Sequence, residues 1–166
     1  MLRFLSIFLI AVVILLVAEL TPPVQAWVIQ PWTTLVAATS AALVRSFDDS
    51  VLAHGNILHD SATGVGVSIE AGCNGVEASL ILLAALLAYP ADWGARVWGA
   101  IAGFAAIQVA NLARIITLFY LAGWHPSVFE FAHLYLWQAL IMLDVVIVWL
   151  LWIRWVTKRQ FADAID

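Results

Sequence analysis

The sequence predicts an all-α membrane protein: about four transmembrane helices and one extracytoplasmic segment, in a single membrane domain covering residues 1–166. Composition is the first observation behind this. Of 166 residues 64% are hydrophobic and 11% charged, and the mean hydropathy is +1.00, whereas a water-soluble domain carries about 25% charged residues. The second is four apolar runs long enough, or nearly so, for a bilayer, which needs roughly 17–25 residues. The third is the placement of Lys and Arg. Arg3, Arg96, Arg154, Lys158 and Arg159 fall on one side of a four-crossing chain, and that side is then cytoplasmic. The net charge of −4 comes without a basic stripe, so nucleic acid is no expected partner. A single cysteine excludes an internal disulfide. No repeat and no cofactor motif is present.

The first run, residues 4–20, is a transmembrane helix. Arg3 and the small-residue site Val24-Gln25-Ala26 fit a secretory signal as well, while Pro22 and Pro23 suit a plain helix end. Residues 21–72 are expected outside. Within them Pro31 to Phe47 reads as an interfacial helix, with Pro31 in its first turn. Trp27 just before it and its Trp32, Leu35, Val36 and Val44 would rest on the membrane interface. The stretch NILHDSATGVGVSIEAG, with Val65, Val67 and Ile69 alternating, reads as a short hairpin leading to Cys73. Residues 73–90, 97–122 and 133–155 form the second, third and fourth spans, and 156–166 a cytoplasmic tail. Both termini are then inside.

Three polar groups fall at one level of this topology. The stretch EAGCNGVEASLILLAALLAYP holds Cys73 at the outer end of the second span. Arg114 lies in the third span, roughly 12 Å below its outer end at a rise of 1.5 Å per residue, and an arginine reaches part of the way back. His133 opens the fourth. A central arginine costs about 2.5–3.5 kcal/mol on insertion, so it faces a bundle interior and has partners. Gln108, Asn111 and Arg114 recur every three residues and share one face, with a drift of about 60° per step. The plain alternative is an arginine that pairs with lipid phosphate at the interface. Cys73 reads either as a small buried hydrophobe or as a nucleophile. A helix N-terminus and the Arg114 charge would favour its thiolate. Gly72 and Gly75 would let a substrate backbone approach. Glu70 and Glu77 oppose a thiolate unless they bind Arg114 or point away. His133 is either an interfacial histidine bonded to a loop or a general acid/base. Trp137 follows one turn later and would wall off water. Asp144 lies roughly 16 Å deeper, outside the catalytic set. No zinc-type spacing joins His54, His59, His125, His133 and Cys73, so no metal is expected.

Cys73-Asn74-Gly75 before an apolar helix, Asn111-Leu112-Ala113-Arg114 in the next and His133 opening the last resemble the exosortase/archaeosortase family, over about residues 64–155. The small size resembles the compact exosortase H type. The resemblance implies a multi-pass enzyme of the bacterial cytoplasmic (inner) membrane with a Cys, Arg and His catalytic set facing the exterior. Glu70, Asn74, Gly75, Asn111 and Trp137 would be substrate-binding or supporting residues. It implies substrates that are exported proteins with a C-terminal tripartite tail: a short motif, a transmembrane helix and a basic cluster. The new carboxyl end would pass to an acceptor of unknown identity. Two departures stand out. Larger members have more crossings, and many have serine where this chain has Asn74.

Rival classes make different demands. A non-enzymatic scaffold or chaperone would use the polar face to bind a partner's transmembrane helix and would tolerate Cys73→Ser. Rhomboid-type chemistry needs a serine in a G-x-S-x-G-like context, which is absent. Lipoprotein signal peptidases need two aspartates at membrane level, and only Asp144 qualifies. A small transporter would place Arg114 and Asp144 on a permeation path.

Overall fold

The computed structural model describes residues 2–163. Helix α1 (Leu2–Glu19) is strongly apolar between Arg3 near its start and the buried Glu19 at its end. Thr21 is extended and ends it, and Pro22 and Pro23 occupy the first turn of the next helix, where a missing N–H costs nothing. That helix, α2 (Pro22–Val44), is continuous and begins well before the expected start at Pro31. A proline inside a helix lacks a donor and crowds the carbonyl four residues back. The chain accommodates Pro31 by winding Gln25–Ile29 as a π-turn immediately before it.

Three short strands follow: β1 (Val51–His54), β2 (Ile57–Asp60) and β3 (Gly66–Ser68), in one antiparallel sheet of order β1-β2-β3. The expected hairpin is β2–β3, in register Leu58↔Val67. Strand β1 was not expected. It pairs with β2 across a tight Gly55-Asn56 turn, with Ala53 opposite Leu58. The sheet changes what α2 packs on. Val36, Ala37 and Val44 are buried against Val51, Leu58 and Ile69 and against Ile115 and Phe119, so the expectation that Val36 and Val44 meet lipid is corrected. Trp32 also turns inward, with its ring against Phe104 at 5.0 Å. Trp27, 83% exposed, and Leu35 remain outward.

Helix α3 (Val76–Ala88) starts three residues after Cys73 and has 13 residues. At roughly 20 Å it falls short of a hydrocarbon core of about 30 Å, so the expected span 73–90 is corrected to a shorter helix. It is nonetheless central, packed on α1, α4 and α5. Helix α4 (Trp93–Trp124, 32 residues) has the Asp92 carboxylate accepting from the Ala95 amide at its N-terminus. One extended residue, His125, separates it from α5 (Pro126–Phe161), whose second turn, Ala132–Leu136, is another π-turn. By length and composition α1, α2, α4 and α5 can each cross a membrane.

Two apolar clusters result. One joins α3, α4 and α5 through Leu82, Leu86, Ile107, Ile141, Val145 and Trp152. The other joins α2, the sheet and the far end of α4. Along α4, Gln108, Asn111 and Arg114 lie between Ile107 of the first cluster and Ile115 of the second, and Cys73 packs against the second.

Candidate active site

The loop between β3 and α3 carries Cys73, and it is shaped by glycine. Gly72 (φ +82°) and Gly75 (φ +76°) both take the left-handed conformation that other residues adopt only with strain. Each side of the loop is tied to a different element. The Ile69 amide donates to the Asn56 carbonyl at 2.8 Å, and Asn56 Nδ2 donates back to the Ile69 carbonyl at 3.1 Å. Asn74, fully buried, donates from Nδ2 to Thr33 Oγ1 at 3.0 Å and accepts from the Val76 amide at 3.0 Å. Trp32 Nε1 donates to the Asn74 carbonyl at 3.2 Å. Gln108 Nε2 donates to the Gly75 carbonyl at 3.4 Å. Trp32 was expected at the interface, and nothing along the chain marks Thr33 as a partner of residue 74. Only the fold brings them to residue 74.

The Cys73 sulfur lies 3.3 Å from His133 Nε2 and 3.4 Å from Arg114 Nη2. Arg114 is buried at 3% exposure and also donates from Nη1 to the Gly72 carbonyl at 3.0 Å. His133 sits inside the second π-turn, with its ring 5.5 Å from that of Phe129. A widened turn shifts the phase of the helix at one point, a device often found at functional sites. A thiol within reach of an imidazole meets the geometric requirement for a nucleophile and base, and the guanidinium supplies a fixed positive charge.

Electrostatics correct one expectation. Burial pushes the Cys73 thiol above its ordinary value. Arg114 pulls it down, and Glu77 and Glu70 add to the rise. Cys73 also precedes the first turn of α3, whose N-cap is Gly75, and the helix dipole acts mainly within that turn. The neutral thiol, not a preformed thiolate, is favoured at rest.

The supporting residues divide. Glu70 Oε1 accepts from Ser68 Oγ at 2.5 Å and from Asn56 Nδ2 at 3.4 Å, so it braces the sheet and does not pair with Arg114. A Cβ on Gly75 would lie 2.6 Å from Gln108 Nε2. The space at that glycine is therefore filled by Gln108 and is not open to a substrate backbone. Asn111 is completely buried on the Arg114 face, and neither of its side-chain polar atoms has a partner among the described residues. The same holds for Arg114 Nε, Gln108 Oε1 and Trp137 Nε1. Asp144 makes no bond to His133, and its Oδ2 is buried without a partner. Among the described residues, no three His, Cys, Asp or Glu side chains gather as a metal site.

Fold and site together define a helical membrane protein with a Cys, His and Arg cluster held at one level. The sequence profile of the transmembrane exosortase family matches residues 2–152, and the chain belongs to that family. Membership implies, at the level of the family, an intramembrane cysteine peptidase or transpeptidase. No curated protein and no solved structure matches the chain.

Proposed function

We propose that the protein is a membrane cysteine peptidase/transpeptidase that cleaves the C-terminal sorting tails of exported proteins through a thioester on Cys73. The observation that carries this reading is the meeting of sulfur, imidazole and guanidinium within 3.3 and 3.4 Å. Cys73 starts as a thiol. His133 Nε2 takes its proton as Sγ attacks the carbonyl carbon of the scissile peptide. Arg114 stabilises the sulfur as charge develops and then the tetrahedral oxyanion, the term that commonly dominates acyl transfer. The C–N bond breaks, and His133 returns the proton to the leaving amine. Water or an acceptor amine or hydroxyl then attacks the thioester, giving up a proton to His133 and releasing the free thiol. The charge bias of the sequence supports an orientation with both termini cytoplasmic and this site on the outer side of the bacterial membrane.

The test is incubation of the purified protein with a synthetic tailed substrate, followed by mass spectrometry for an acyl adduct on Cys73. The adduct is expected in the wild type. Cys73→Ala is expected to abolish cleavage while the protein remains inserted and folded. Processing by that variant would overturn the scheme.

A further inference from the structure

Glu77 has no part in the steps above, yet its carboxylate reaches the catalytic loop. It stands in the first turn of α3, and its Oε1 accepts from the Gly72 amide. On the other side of the same residue, the Gly72 carbonyl accepts from Arg114 Nη1 at 3.0 Å. Both peptide groups flanking Gly72 are therefore held, one by an anion from α3 and one by a cation from α4. Gly72 itself is in the left-handed conformation at φ +82°, which the chain adopts freely only at glycine and which leaves the loop free to move unless it is tied. The next residue is Cys73. Four charged or titratable groups act on its sulfur: Arg114 from α4 and His133 from α5 in contact with it, and Glu77 and Glu70 through their charge. Glu19, buried at 5% exposure at the end of α1, faces Glu77.

We propose that Glu77 is a positioning residue of the Cys73 site: by holding the Gly72 amide it fixes the loop so that the sulfur stays against both the guanidinium and the imidazole. The proposal deepens the peptidase reading and rests on it. The carboxylate acts through its acceptor oxygen. Its charge is a side effect that works against the thiolate and is offset by Arg114. Two properties that usually travel together are thus separable here. Glutamine keeps an acceptor oxygen at the same reach and drops the charge. Aspartate keeps the charge and is one methylene too short.

The test uses the full-length protein in liposomes, as wild type, Glu77→Gln, Glu77→Asp and Glu77→Ala. One readout is the pH profile of Cys73 alkylation by iodoacetamide, unambiguous because the chain has one cysteine. The other is kcat and KM on a synthetic tailed substrate. Glu77→Ala and Glu77→Asp are expected to lower kcat by about 100-fold with KM little changed, the scale expected for a reactive group displaced by about 1 Å. Glu77→Gln is expected to recover most of that loss and to move the alkylation profile to lower pH. Glu77→Ala is expected to move the profile toward that of the denatured chain. A Glu77→Gln variant as impaired as Glu77→Ala would overturn the proposal, since the charge would then be what matters. So would a wild-type kcat and profile in Glu77→Ala. Where Glu77→Ala does not insert, the contrast between Gln and Asp decides. Failure of the wild type to cleave any tailed substrate would remove the peptidase reading. The alkylation profiles would still decide whether Glu77 holds the loop.

Discussion

Cys73 is a thiol whose surroundings pull in opposite directions. Burial dominates and favours the neutral form, with Glu77 and Glu70 on the same side and Arg114 against them. Two consequences follow from the sign. Where the folded pKa is raised, the contribution to stability is complete below the unfolded pKa and is lost as pH rises through the folded one. The reactivity of the sulfur runs the other way. Alkylation by iodoacetamide is expected to rise with pH and reach half its maximum at a higher pH than for a free cysteine in the same buffer. A half-point at or below that of free cysteine would show that Arg114 outweighs burial. Gly75 makes the second residue-level prediction. At φ +76°, with Gln108 Nε2 at 2.6 Å from an added Cβ, Gly75→Ala combines backbone strain with a clash. A loss on the order of 1–3 kcal/mol is expected for such strain, read as a lower melting temperature in detergent. Both glycines and the cysteine were visible in EAGCNG. What Gly75 makes room for was not, because Gln108 lies far away in the chain and its approach depends on how α3 packs on α4.

The element that departs most from its expected role is α2. Its apolar positions suited an amphipathic helix lying on a membrane, and Trp27 does point outward. Periodicity identifies the apolar face of a helix but not what covers it. Here β1 and β2 supply Val51 and Leu58, and that face becomes protein core. Strand β1 escaped detection because VLAH is too short for alternation to register, and its pairing with β2 is what makes it a strand. The result links α2 to the Cys73 loop through Trp32, whose indole donates to the Asn74 carbonyl at 3.2 Å. Trp32→Phe keeps the ring against Phe104 and removes the donor. It is expected to cost about 0.5–1.5 kcal/mol of stability, the net worth of a typical hydrogen bond, and to slow acylation of Cys73 in single-turnover measurements. An unchanged acylation rate would mean that α2 merely roofs the bundle.

Across the whole molecule, the site lies at the seam between a helical cluster of α3, α4 and α5 and an outer cluster of α2 and the sheet. Each side contributes: the sheet and α2 anchor the loop, while α4 and α5 deliver Arg114 and His133. The proposed orientation puts that seam on the exported side. Because Cys73 is the only cysteine, a membrane-impermeant maleimide added to intact spheroplasts is expected to label it, and Cys73→Ala to remove the signal. Labelling only after the membrane is permeabilised would reverse the orientation.

The sequence alone determined the membrane class, because 64% hydrophobic residues in long runs leave no other folded solution. It also singled out Cys73, Arg114 and His133, since polar groups in an apolar chain are costly enough to need partners. Tertiary structure alone decided how those partners are arranged: that α2 is covered by a sheet, that Gln108 fills the space at Gly75, and that Glu77 holds the Gly72 amide while Glu70 braces the strands. The division has a physical cause. Burial and periodicity are properties of one segment and are written along it. A hydrogen bond between distant residues depends on helix phase and packing angle, which two π-turns and a single-residue corner at His125 set in this fold.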